Sequence, residues 1–257
     1  MSIRLDIADH IARITIDRPQ VMNALDITSD TALEAIWQQI EANPDVRAVV
    51  LTGAGDRAFC VGSDMKNVEK SGLEYWAQGN PNGFGGIALR TTLDIPVIAR
   101  VNGHALGGGF EMVLGCDIIV AAEEATFGLP EPRVGRLPLD GGMVLLQRQI
   151  PHHLAMGMLL TGRRAKAAEL KSLGLINDVV LRADLDAAVD RWLADILACA
   201  PLSLRAIKQT IRRTAHLTAQ EAREQRLPAL MTCLSSNDGE EGVRAFREKR
   251  PPVWTGT

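Results

Sequence analysis

Pro96-Val97-Ile98-Ala99, running through Val101-Asn102-Gly103-His104-Ala105-Leu106-Gly107-Gly108-Gly109-Phe110-Glu111, is the stretch that decides the fold. It opens as a short apolar run, as a buried strand does, passes through a glycine-rich turn, and feeds a helix. Glycine tolerates backbone angles that other residues resist and lets a ligand approach the main chain closely. At the start of the helix, unpaired N–H groups and the positive dipole end attract a negative oxygen. That oxygen could belong to a phosphate or to a developing enolate.

Outward from this stretch the same alternation continues. Residues 46–52 and 117–122 are further apolar runs that read as buried strands. Ile3, Leu5 and Ile7, then residues 11–16, alternate with polar residues as a hairpin does. Thr28 or Ser29 is placed to cap a helix reaching about Ala42, with Leu33, Ile36, Trp37 and Ile40 at helical spacing. Strand pairs alternating with helices imply an α/β core. Beyond Pro138 the pattern turns helical: 141–149, 152–161 and 165–173, a short strand at 176–180, then 185–200, 201–216 and 218–235. The expected division is a core over residues 1–195 and a helical lid or oligomerisation region over 196–257. The run Gln78-Gly79-Asn80-Pro81-Asn82-Gly83-Phe84-Gly85-Gly86 reads as a mobile loop beside a ligand site.

Composition narrows the classes of function. With 28 basic and 31 acidic side chains the net charge is −3, which gives no general attraction to nucleic acid or anionic membranes. No apolar run approaches the ~20 residues that span a bilayer, and the first residues lack the regions of a signal peptide. Cys60, Cys116, Cys199 and Cys233 are widely spaced and read as reduced thiols, so a cytoplasmic location is expected. His152 and His153 lack partner ligands, so no metal site is expected. His104 reads as structural, and no Gly-x-Ser-x-Gly elbow is present.

A second glycine-containing turn, Thr52-Gly53-Ala54-Gly55 through Cys60-Val61-Gly62-Ser63-Asp64-Met65, follows the strand at 46–52. Neither turn fits a dinucleotide fingerprint or a phosphate loop. Two carboxylates stand near them. Glu111 lies three residues after Gly108, on the same face of a helical turn. Glu131 sits between Pro130 and Pro132, which restrict its backbone. Each alone is an ordinary charge; together they suit general acid–base work on water.

These motifs, with Asp17-Arg18-Pro19, Asn23-Ala24-Leu25, Phe127-Gly128-Leu129-Pro130-Glu131, Leu160-Thr161-Gly162-Arg163 and the tail Ala245-Phe246-Arg247-Glu248-Lys249-Arg250, resemble the enoyl-CoA hydratase/isomerase (crotonase) superfamily over essentially the whole chain. The resemblance implies a spiral of ββα units followed by a helical C-terminal part, assembled as a homotrimer or homohexamer. It implies an acyl-CoA thioester whose oxygen sits between the amides of Ser63 and Gly108, with Glu111 and Glu131 flanking the reacting carbons. Retention of both glutamates favours adding or removing water. An isomerase and a non-catalytic acyl-CoA-binding scaffold stay open as alternatives. By motif position CoA would be held near Ala24, Val61, Ser63, Met65, Lys66 and Gly108, with Phe246 and Lys249 reaching the nucleotide end. No separate cofactor is implied, because CoA arrives with the substrate.

Three departures from the family pattern stand out. Gln20 occupies a place where relatives often carry lysine. Leu139 replaces a small residue near the expected catalytic water. Asp140 adds a third carboxylate, whose ordinary reading is a helix N-cap before Gly141. Gly109-Phe110-Glu111, Gly83-Phe84-Gly85-Gly86 and the segment Glu248 to Gly256 are similar to the carnitinyl-CoA dehydratase subfamily.

Overall fold

The computed structural model describes residues 2–65 and 71–257. Strands β1 (Ile3–Ala8) and β2 (Ile11–Ile16) form the antiparallel hairpin, with Asp9 and His10 both at positive φ in its two-residue turn. Helix α1 (Ile27–Ala42) follows and buries Leu33, Trp37 and Ile40 completely. Each such side chain contributes roughly 1.5–3 kcal/mol on burial. Its cap is Asp26, whose carboxylate accepts the Ser29 N–H at 2.8 Å. The cap therefore lies ahead of Thr28 and Ser29, and Ser29 is a buried residue inside the first turn.

The core then repeats one device three times. β3 (Ala48–Gly53) is followed by the short β4 (Ala58–Cys60), β5 (Val97–Val101) by β6 (His104–Leu106), and β7 (Ile118–Ala122) by β8 (Thr126–Gly128). The first strand of each pair enters a six-stranded sheet ordered β1-β2-β3-β5-β7-β10, closed by β10 (Asp178–Val180). The second enters a four-stranded sheet ordered β4-β6-β8-β9, closed by β9 (Arg164–Lys166). Successive repeats stack in parallel in both sheets. Helix α2 (Gly72–Gln78) and a 3₁₀ turn at Phe84–Gly86 connect the first two repeats, and α3 (Gly108–Gly115) connects the next two. This is the spiral of ββα units that the family resemblance implies.

Period-two alternation divides the larger sheet between two apolar layers. Val49 and Leu51 face α1 and α3, while Ala48, Val50, Ile98 and Val120 face α7 (Leu185–Leu197) through Leu185, Ala188, Val189 and Leu193. Helix α4 (Gly142–Gln149) packs on α3 and on α5 (His152–Thr161), and α6 (Ala167–Ser172) packs against β9 and β10. Residues 165 and 166, expected at the start of a helix, instead join Arg164 in pairing antiparallel with Thr126–Gly128, because this satisfies the outer edge of β8.

After α8 (Pro201–Thr214), the stretch expected as one helix splits into α9 (Ala219–Glu224) and α10 (Pro228–Leu234). Pro228 is the cause. It pushes Leu227 to extended angles and starts a new helix from the first position. Helix α11 (Asn237–Glu248) ends the chain before an extended tail. No helix among the described residues is long and apolar enough to cross a membrane.

Candidate active site

Two glycine turns from successive repeats meet at the edge of the smaller sheet. After β4, the Leu25 N–H donates to Gly62 O at 2.9 Å and the Asp64 N–H donates to Leu25 O at 2.8 Å. This parallel bridge pairs Leu25 with Ser63 but leaves the Ser63 N–H unused. After β6, Gly107 donates to Gly128 O at 2.9 Å and its carbonyl accepts from Phe110 and Glu111. Gly108 then opens α3, where its N–H has no partner within the helix. Among the described residues neither amide has an acceptor. The turns lie against each other: a methyl group placed on Gly62 would stand 3.2 Å from Gly108 N.

Packing dictates the glycine triplet. A Cβ on Gly109 would lie 2.0 Å from Cys60 O, and one on Gly108 would enter the Phe84 ring at 2.5 Å. Gly107 adopts φ 56° and ψ −131°, and a Cβ there would meet Glu131 Oε1 at 2.9 Å. The stretch 78–86, expected as mobile, ends in a packed support. Phe84, Gly85 and Gly86 are buried, the Gly85 N–H donates to Asp30, and Gly85 O accepts from Trp37 Nε1 at 2.8 Å.

Three carboxylates converge beside the turns. Glu111, 3% exposed on the first turn of α3, accepts the Gly142 N–H on Oε1 at 2.8 Å. Burial pushes its carboxyl up to about 8, with the negative charges of Asp140 and Glu131 adding to the effect. Glu131 begins a 3₁₀ turn (Glu131–Val134) directly after β8. Its Oε2 is buried without a hydrogen-bond partner, an acceptor poised for a donor that none of the described residues supplies. Burial raises this carboxyl also, with Asp140 again adding. Asp140 is not the N-cap of α4. Gly141 takes that position at φ 121°, which suits glycine alone, and buried Asp140 instead accepts a hydrogen bond from the Tyr75 hydroxyl. With Tyr75, Trp76, Asn80, Leu89 and half-buried Leu139, it lines a cleft of about 190 Å³.

The remaining expected contacts are distributed unevenly. Ala24 is buried, its N–H bonded to Val21 O and its carbonyl to the Arg18 guanidinium. Half-buried Val61 lies beside Gly107, Met65 is exposed, and Lys66 lies outside the described residues. Gln20 is exposed in a 3₁₀ turn. Phe246 is 86% exposed on α11 and Lys249 caps that helix at positive φ, with α10 and the C-terminal tail as the helix's packing partners. His104 bonds Thr126 Oγ1 through Nδ1 at 2.7 Å, a structural contact. Sequence reasoning missed Tyr75, and it placed Phe84 in a mobile loop beside a ligand site rather than in a packed support. The signal for the first was the capping box of Ser71 and Glu74, which starts a helix just ahead of the chain's single tyrosine.

Free amides beside buried carboxylates can hold a negative oxygen and move protons at the adjacent atoms. The enoyl-CoA hydratase/isomerase family profile matches residues 6–257. Carnitinyl-CoA dehydratases of Salmonella typhi and Salmonella typhimurium are each 37% identical over 250 residues, 96% of this chain and 95% of theirs. The crystal structure of an enoyl-CoA hydratase from Bacillus anthracis superposes with a TM-score of 0.91 at 31% identity, covering all of both chains. One from Mycobacterium marinum gives 0.88 at 33%, covering 100% of this chain and 99% of that one. With its spiral fold, its two facing glycine turns and a match along nearly its whole length, this chain belongs to the enoyl-CoA hydratase/isomerase family.

Proposed function

We propose that this protein is an acyl-CoA hydro-lyase that adds water reversibly, and syn, to a 2-enoyl-CoA thioester. The thioester oxygen accepts from the Ser63 and Gly108 amides, which oppose the charge of the enolate; such donors are typically worth ~3–4 kcal/mol each. Glu131 and Glu111 position a water, Glu111 chiefly orienting it. The water adds its oxygen to C3 and gives a proton to the glutamate pair while Glu131 delivers one to C2, so the pair holds one proton before and after. Dehydration runs the same path backwards. Ala24, Val61, Met65 and Lys66 are the assigned CoA contacts, with Phe246 and Lys249 at the nucleotide end. No cofactor is required beyond the CoA of the substrate.

The observation that carries this reading is Glu131 Oε2, buried and unpartnered, beside a Glu111 whose own oxygen is held by Gly142. One carboxylate is fixed and the other awaits a donor. The test is turnover of enoyl- and 3-hydroxyacyl-CoA esters in H₂¹⁸O. Label in a 3-hydroxyacyl product, lost with Glu111→Gln and with Glu131→Gln, is expected. Double-bond migration without label would make the protein an isomerase, and turnover indifferent to both substitutions would leave an acyl-CoA-binding scaffold.

A second reading narrows the substrate to carnitinyl-CoA or a close analogue, favoured by the relatives at 37% identity. Including a trimethylammonium-bearing thioester in the panel separates it from simple short-chain hydration. Exposed Ile207, Ile211, Met231, Leu234 and Phe246 on the C-terminal helices support assembly into a trimer or hexamer through residues 196–257. The four free cysteines support a reducing, cytoplasmic location.

A further inference from the structure

Helix α2 has no buried residue, and its half-buried Tyr75 reaches inward to a carboxylate. The Tyr75 hydroxyl donates to Asp140, which is 9% exposed. Two residues on, Gly142 donates to Glu111. The 140–142 turn therefore grips a helix at the cleft mouth with one end and a site glutamate with the other. Resting on the hydro-lyase reading, we propose that Asp140, anchored by Tyr75, is a positioning residue whose negative charge keeps one proton on the Glu111–Glu131 pair.

The pair needs that proton, because water addition requires an acid and a base at once. Asp140 faces titratable groups on several elements: Asp30 on α1, Tyr75 on α2, Glu111 on α3, and Glu131 after β8. Of these, Asp30 accepts the Gly85 N–H, and its own neighbour Glu34 is paired with the buried Arg90 guanidinium. Among the described residues Tyr75 is the one side-chain hydrogen-bond donor that reaches Asp140. Burial raises the Asp140 carboxyl above its ordinary range, and the phenol donor opposes that rise by favouring the ionised form. An anion fixed there raises the proton affinity of both glutamates. Asp140 does not touch the reacting atoms; it acts through Glu111 and Glu131.

The test is a ¹³C-detected titration of the Glu111 carboxyl in the unliganded protein, compared between wild type, Asp140→Asn, Asp140→Glu and Tyr75→Phe. Asp140→Asn is expected to weaken proton binding at Glu111 about tenfold, a shift of roughly one pH unit to lower pH. Asp140→Glu should restore the wild-type titration, and Tyr75→Phe should shift it less, in the same direction as Asp140→Asn. The alkaline limb of kcat/KM should move to lower pH with the titration. A Glu111 midpoint unchanged in both Asp140→Asn and Tyr75→Phe overturns the proposal. Because the titration needs no substrate, it decides this point even if no enoyl thioester is turned over, an outcome that would overturn the hydro-lyase reading instead.

Discussion

Gly142 donates its backbone N–H to Glu111 Oε1 at 2.8 Å, and the bond ties the first turn of α4 to the first turn of α3. The carboxylate thus lies at the positive ends of two helices while nearly excluded from water. Burial and the neighbouring acids outweigh the dipoles, so the carboxyl titrates near 8. A carboxyl poised there can give and take a proton around neutrality.

Glu111→Gln should trade activity for stability. The folded carboxyl releases its proton near 8 and the unfolded one near 4.5. Between these values the unfolded chain binds fewer protons, so this group's contribution to stability falls as pH rises through the window. Glutamine keeps an oxygen for the Gly142 N–H and carries no charge. The variant should therefore gain about 1–3 kcal/mol over wild type at pH 8, vanishing near pH 4.5, while hydration falls by about 10²–10⁴. Denaturation across pH 4.5–8 checks the first part and steady-state kinetics the second.

Gly107→Ala strikes the site from the other side. Its backbone has positive φ, and the added methyl would stand 2.9 Å from Glu131 Oε1. The strained angle costs roughly 1–2 kcal/mol, and the carboxylate must swing off its position. The expected result is a folded protein with kcat lowered about 10²-fold and KM changed little, since displacement by ~1 Å is enough for such a loss. A circular-dichroism melt alongside the kinetics separates this from unfolding.

Much of this architecture was legible because apolar runs and glycine turns report directly on backbone pairing. The strands at 48–53, 97–101 and 118–122 follow from runs dominated by Val, Ile, Leu and Ala, and the Gly107–Glu111 turn from its glycines. What stayed hidden was tertiary. Arg164–Lys166 carries no strand pattern of its own and becomes β9 only because β8 offers an edge. Asp140 before Gly141 reads as a cap until Tyr75, 65 residues earlier in the chain, is seen to claim it. The packed turn at 84–86 looks mobile until Trp37 and Asp30 bind it.

Lys208 and Asp117 anchor the helical C-terminal part to the larger sheet, and they should respond unequally to removal. Lys208, 7% exposed on α8, donates to Ile95 O at 2.6 Å and pairs with Asp117, which also accepts the Val97 N–H at 2.8 Å and pairs with Arg212. Asp117→Ala strands a buried cation and a strand amide, and should cost about 3–5 kcal/mol. Lys208→Met leaves Asp117 with Arg212 and fills the space with an apolar chain but takes the donor from the Ile95 carbonyl, so the change should cost less, about 1–3 kcal/mol. Urea denaturation of both variants reads the difference, and equal losses would show that the pair acts symmetrically.

Trp37→Phe tests whether the Phe84 support governs the amide turn. The indole N–H holds Gly85 O, so Gly85 is pinned from above by Trp37 and from below by Asp30. Phe84, next in the chain, presses its ring on Gly108, the residue whose amide is assigned to the thioester oxygen. Phenylalanine leaves the Gly85 carbonyl buried without its donor, a cost of about 1–3 kcal/mol. If the turn relaxes, Phe84 moves and the Gly108 amide with it. The kcat should then drop roughly three- to tenfold at nearly constant KM, since amide alignment matters most when charge reaches the oxygen. Stability lost with kcat intact would mean that α3 holds Gly108 in place unaided.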